Sequence, residues 1–114
     1  MSKGLEVLMP YSSVKENIAH VLREFDFIEE FSVVGEGVGK SLSVQLAYDE
    51  SGEPRIKVVK RISKPSLRKY IKAKDIQYIR GGFGLSIIST SEGIMSGQAA
   101  KKKGLGGEVI AHLW

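Results

Sequence analysis

The chain has 114 residues, no cysteine and a formal net charge of +4, with 42% hydrophobic and 26% charged residues. That length suits one domain or two small subdomains, and the lack of cysteine excludes disulfides and thiolate metal sites. His20 and His112 are too few for a histidine cage, no apolar run approaches the ~20 residues of a membrane helix, and MSKGLEVLMP lacks the long apolar core of a secretory signal.

Leu5 to Met9 is expected as a short strand ending at Pro10. Val14, Ile18, Val21, Leu22 and Phe25 then recur on one face of a 3.6-residue period, which predicts a helix. Ser13 with Glu16 fits a capping box at its start. His20 is read as a packed or surface residue. Phe27, Ile28 and Phe31 carry the apolar surface into the next strand, and Gly35 to Lys40 is a glycine-rich turn. Ser41 to Tyr48 alternates cleanly, with Leu42, Val44, Leu46 and Tyr48 on one side, as a half-buried strand does. Asp49 to Gly52 supplies a turn, so Arg55 to Ile62 is expected to return as the second arm of a hairpin. Ile56, Val58 and Ile62 would then face the helix.

Ser63-Lys64-Pro65-Ser66 reads as the connection between two halves. Leu67 to Lys72 is expected as a short strand and Lys74 to Arg80 as a turn or single helical turn. Leu85 to Ile88 is the most apolar strand. Ser96 can cap a short helix through Lys103 that Gly104 terminates, and Glu108 to Trp114 closes the sheet. The expected fold class is α+β with two subdomains: residues 1–63, a helix on a short sheet, and residues 64–114, a mostly antiparallel sheet with a short helix.

Charge is concentrated in the middle of the chain. Residues 1–53 hold four Lys/Arg against ten Asp/Glu, a net −6. Residues 54–80 hold ten cations against Asp75 alone, a net +9. Such a strip favours a polyanion through counterion release. Next to it in sequence, Ser89, Thr90 and Ser91 run into Glu92 and Gly93, a hydroxyl-rich turn able to hydrogen-bond an RNA backbone or base edge. Serine and threonine in a turn also satisfy backbone groups, and Lys101, Lys102 and Lys103 also complement the negative end of their helix. The glycine clusters at 81–84 and 104–107 each open a strand, whereas a phosphate loop needs strand, turn and helix in that order. They suit turns and close backbone approach instead. No nucleophile motif is present, so catalysis is not expected, and the aromatic signature of a four-stranded RNA platform is missing.

STSEGIM at 89–95, AAKKKGLGGEVI at 99–110, KPSLRKY at 64–70 and MPYSSVKENIAHVLREFDFIEEF at 9–31 together resemble the bacterial type of small-subunit ribosomal protein eight. The resemblance implies two α+β subdomains that bind the central domain of small-subunit ribosomal RNA and touch neighbouring ribosomal proteins. It also implies repression of the operon's own messenger RNA. Carried onto this chain, Ser89, Thr90, Ser91 and Gly93 form the RNA-reading loop, and Tyr70 and Lys72 the basic aromatic segment. Gly106, Gly107 and Glu108 form the supporting terminal turn, and Lys15 a backbone contact. The family's first helix, with its Asp-Pro-Ile and Arg-Ile-Arg-Asn pattern, has no counterpart here. Ser66 stands where glycine is usual and Ser13 where lysine is common, so the C-terminal site is expected to dominate.

The expectation is therefore a non-enzymatic ribosomal RNA-binding protein without cofactor, metal or membrane, placed in the cytoplasmic ribosome, with an organellar ribosome open. Arg55, Arg61, Lys64, Arg68, Lys69 and Lys72 would attract phosphates irrespective of sequence. A basic module docking an acidic protein is the alternative. A hydrolase pairing Ser91 with His112 stands third.

Overall fold

The structure is a computed structural model and describes residues 6–114. Leu5, the first residue of the expected opening strand, lies outside them. The chain divides into two compact units between Ile56 and Lys57.

The first unit is a three-stranded antiparallel sheet in the order β1-β3-β2, formed by β1 (Glu6–Pro10), β2 (Ile28–Val34) and β3 (Ser41–Leu46). One helix, α1 (Ser13–Glu24), connects β1 to β2. As the middle strand, β3 buries Leu42, Ser43 and Val44. Leu42 and Val44 pack with Ala19 of α1 and Ile28 of β2, flanked by Met9, Leu22, Phe31, Leu46 and Ile56. A buried aliphatic side chain of this kind contributes about 1.5–3 kcal/mol, so a few such residues hold a small unit together. Val14 does not join them; it is 51% exposed.

The helix cap differs from the expected one by a residue. Ser12, in extended conformation, is the N-cap, and its Oγ accepts from Lys15 N at 3.1 Å. Ser13 is already helical, which puts Glu16 one residue too far along to complete a capping box. The Glu16 carboxylate instead accepts from the Tyr11 hydroxyl at 2.6 Å, which holds the tyrosine pKa above its ordinary value. Ser12→Ala is expected to cost about 1 kcal/mol and Ser13→Ala under about 0.5 kcal/mol, read from thermal unfolding. The reverse ranking would restore the box. His20 is a surface residue, as expected, edge-on to Phe31 with ring centroids 4.7 Å apart.

The hairpin expected after β3 does not form as a ladder. Asp49 builds the turn, its Oδ1 accepting from Ser51 N at 2.9 Å and Glu53 N at 3.0 Å. Pairing then stops after a Tyr48–Pro54 bridge and a hydrogen bond from Arg55 N to the Ala47 carbonyl. The next strand, β4 (Val59–Arg61), pairs with the last strand of the chain. Ile56 stays with the first core, Ile62 packs in the second, and Val58 is 41% exposed. Residues 57–63, grouped with the first half by sequence, thus hydrogen-bond within the second unit.

That second unit is built around β8 (Gly107–Leu113). Four strands accompany it: β4, β5 (Tyr70–Ile71), β6 (Leu85–Thr90) and β7 (Gly93–Ser96). The order is β4-β8-β6-β7, with β5 also on β8, all antiparallel. The terminal strand is therefore the centre of the sheet. Between β7 and β8, α2 (Gly97–Lys103) is capped by Ser96, whose Oγ accepts from Ala99 N at 3.1 Å. It ends with Gly104 left-handed, Leu105 N bonding the Ala100 carbonyl and Gly104 N the Lys101 carbonyl, a Schellman arrangement. Ala100 meets Ile88, Val109 and Ile76 in the core, with Ile62, Ile71 and Met95 around them. Between β5 and β6 the chain makes 3-10 turns at Ala73–Asp75 and Ile79–Gly82.

Candidate nucleic-acid interface

The hydroxyl triplet closes the β6–β7 hairpin. Thr90 pairs with Gly93, leaving Ser91 and Glu92 as a two-residue loop, and Gly93 takes φ +114°. Thr90 is committed internally: its Oγ1 donates to the Gly93 carbonyl at 2.7 Å and accepts from Glu92 N at 3.1 Å. That lock stiffens the tip. Among the described residues, Ser91 is exposed and its hydroxyl has no intramolecular partner. The triplet therefore divides into a structural Thr90, a free Ser91 and a half-buried Ser89.

Ser89 lies in a row that crosses the sheet. It pairs with Ile94 on one side and Glu108 on the other, and Glu108 pairs with Tyr70. Directly paired residues project from the same face, so Ser89, Glu108 and Tyr70 share one surface within roughly 10 Å. Ile88, Val109 and Ile71, each one position along, face the core beneath α2. Gly107 makes the row possible: a side chain there would run into the Ser89 carbonyl oxygen and come within 2.9 Å of its carbon. At Gly106 a Cβ would come within 2.5 Å of the Ile71 carbonyl. Both glycines are needed for close backbone approach.

The cations divide similarly. Arg68 places Nη1 3.0 Å and 3.3 Å from the two Glu108 carboxylate oxygens, while its side chain stays 55% exposed. Tyr70 is 72% exposed, with Lys69 and Lys72 also exposed around it. Lys64 is exposed in a tight turn closed by mutual Lys64–Leu67 backbone hydrogen bonds. Arg61 Nε donates to the Ser63 carbonyl at 3.0 Å. In the first unit, Arg55 lies over the Phe27 ring at 6.0 Å, and Lys15 Nζ donates to the Pro10 carbonyl at 3.3 Å. The second unit thus gathers Ser89, Ser91, Glu108, Tyr70 and the cations 64–72, whereas Lys15 and Arg55 belong to the other.

One positioning residue escaped the sequence reading. Ser63 is buried, and its Oγ accepts from Lys69 N at 2.8 Å and donates to the Lys69 carbonyl at 3.2 Å. It pins the backbone beneath the basic segment. A serine beside Lys-Pro-Ser reads as one more linker residue, and no periodicity marks it otherwise.

His112 pairs with Ser86 and Lys60. It stands four residues along β8 from Glu108, about 13 Å away, which separates it from the hairpin tip and removes the Ser91–His112 hydrolase reading. Burial, and secondarily Lys60, holds its pKa below the ordinary imidazole value. The folded state therefore binds this proton less readily than the unfolded state. His112 costs no stability above the unfolded value of about 6.5, and stability falls as pH drops from there toward the lowered folded value. Between about pH 7.5 and pH 5.5 the Tm of wild type should decline more than that of His112→Asn, and parallel curves would refute the assignment.

Among the described residues there is no acidic or histidine cluster able to hold a metal, and no helix long and apolar enough to cross a membrane. The fold and this surface define an α+β protein of two small units with a basic, hydroxyl-bearing sheet surface. The chain matches the family Ribosomal protein S8 over residues 1–114 and belongs to it; this is a family of structural proteins, not enzymes. It is 45% identical to the small ribosomal subunit protein uS8 of Gloeothece citriformis over 107 residues, 93% of this chain and 80% of the relative. The uS8 protein of Streptomyces griseus is 45% identical over 108 residues, 95% of this chain and 82% of the relative. That of Corynebacterium jeikeium is 44% identical with the same coverage.

Proposed function

We propose that this chain, a structural protein of the small ribosomal subunit, binds the central domain of small-subunit ribosomal RNA through its second unit and supports assembly there. The observation that carries the reading is the Ser89–Glu108–Tyr70 row beside the free Ser91 hydroxyl, edged by exposed lysines. Ser91 and Ser89 offer hydroxyls to base edges or 2′-hydroxyls. Glu108 accepts from a base amino group or ribose hydroxyl, and Arg68 keeps it oriented. Tyr70 presents a face for stacking. Lys64, Lys69 and Lys72 supply phosphate contacts, Gly93, Gly106 and Gly107 shape the backbone beneath, and Lys15 adds a phosphate contact from the first unit. Neighbouring small-subunit proteins are further partners. A messenger RNA folded into the same irregular shape would compete for the same surface, the basis for repression of the operon.

The test is a salt-titrated binding assay with a central-domain fragment and a scrambled RNA of equal length. Preference for the native fragment is expected, with Lys69→Ala weakening both RNAs and flattening the log–log salt slope by about one unit. Equal, steeply salt-dependent binding to both would leave a general polyanion surface and overturn the specific reading.

A further inference from the structure

The second unit carries another surface at the opposite end of β6. Leu85 begins that strand and Thr90 ends it, so about 17 Å separates this region from the hairpin tip. A cleft of about 450 Å³ opens there between residues 76–79 and α2. Ile76, Ile79 and Leu85 give it an apolar floor. Lys101 and Lys102 stand on the α2 side, and Gln77 and Gln98 add side-chain amides. Lys101 is held in place: its Nζ donates to the Ile76 carbonyl at 2.7 Å, leaving two ammonium hydrogens for a ligand. Among the described residues, no carboxylate lines the cleft. Tyr78, at its rim, is 68% exposed.

We propose that this cleft takes one extruded nucleotide of a single-stranded RNA segment, a contact separate from the hairpin surface. The proposal rests on the RNA-binding reading. An apolar floor accepts the base face, the two amides offer donors and acceptors to its edge, and the two lysines of α2 attract the phosphate. Tyr78 stacks on the nucleotide next to it. The volume falls within the range of small-molecule sites, and the unpaired positive charge favours this occupant over an apolar peptide.

Amide chemical shifts of the intact protein test this with three probes: adenosine 5′-monophosphate, a single-stranded tetra-adenylate and inorganic phosphate. Both nucleotides are expected to shift residues 76–85 and 98–102 while leaving 89–93 unmoved, the tetranucleotide binding more tightly. Lys102→Glu should weaken that binding about tenfold, as should Tyr78→Ala for the tetranucleotide, both at exposed positions that leave the fold intact. Inorganic phosphate reproducing the pattern would reduce the cleft to an anion site. Mononucleotide binding as tightly as the tetranucleotide would assign it to free nucleotides, and the absence of shifts at millimolar nucleotide would remove the site. Each of these overturns the proposal. Loss of Ser91-dependent rRNA preference with the cleft shifts retained would sink the hairpin reading alone.

Discussion

Gly107→Ala is expected to destabilise the second unit by about 3 kcal/mol or more and to lower its Tm by more than about 10 °C. Gly107 is not in the left-handed region, so the penalty is steric rather than torsional. The new methyl would meet the Ser89 carbonyl oxygen, with the Ser89 carbon at 2.9 Å and Ile88 Cγ2 at 3.2 Å. A flexible side chain could swing away from a methyl; a carbonyl in a ladder cannot. Ser89 and Glu108 face each other in the β6–β8 pairing, so relief requires parting the central strand from its neighbour. The comparison is Gly104→Ala, where φ is +72° and nothing lies within 4 Å of the added carbon. Torsional strain alone there costs about 1–2 kcal/mol. Thermal unfolding of both variants decides the matter. Equal, small losses would mean that β6 and β8 do not approach this closely.

Ser91→Ala should leave stability within about 0.5 kcal/mol of wild type but weaken binding of the native RNA fragment about ten- to a hundredfold. The side chain is exposed and holds nothing internal, so its loss should fall on the RNA contact. A base-edge or 2′-hydroxyl group left buried and unpaired on the RNA side costs about 1–3 kcal/mol. The salt slope should stay nearly unchanged, because no cation is removed. Thr90→Val makes the contrast. It removes the 2.7 Å bond to Gly93 and the 3.1 Å bond from Glu92, so its effect should appear as a loosened hairpin in amide exchange before it appears in affinity. Ser91→Ala losing equally on native and scrambled RNA would end the division between recognition and phosphate attraction.

The candidate surface was partly legible in the sequence. STSEG between an apolar run and a short helix marks a turn, and the +9 segment marks cations that seek an anion. Sequence could not show that the Thr90 hydroxyl is taken up within the turn while that of Ser91 is not, because both are small hydroxyl residues suited to a turn. Nor could it show Arg68 beside Glu108, forty residues apart and brought together by the β5–β8 pairing. GLGG reads correctly as glycine needed for close approach, but which carbonyl it approaches depends on the sheet.

Local pattern by itself settled the α+β class, the apolar side of β3, the Ser96 cap, the Gly104 stop and the concentration of positive charge. These depend on periodicity and on residues within a few positions of one another. Tertiary structure decided strand partners. Alternation tells which side of a strand is buried, yet says nothing about the neighbour that will satisfy its backbone N–H and C=O groups. Val59 to Arg61 follows a turn and reads as the return arm of a hairpin, but its partner is β8. The central place of β8 brings β4, β5 and β6 together, and with them the serine, glutamate, tyrosine and lysines of the surface. The residue types were written locally; their meeting was the result of competition among distant backbone segments for the same hydrogen bonds.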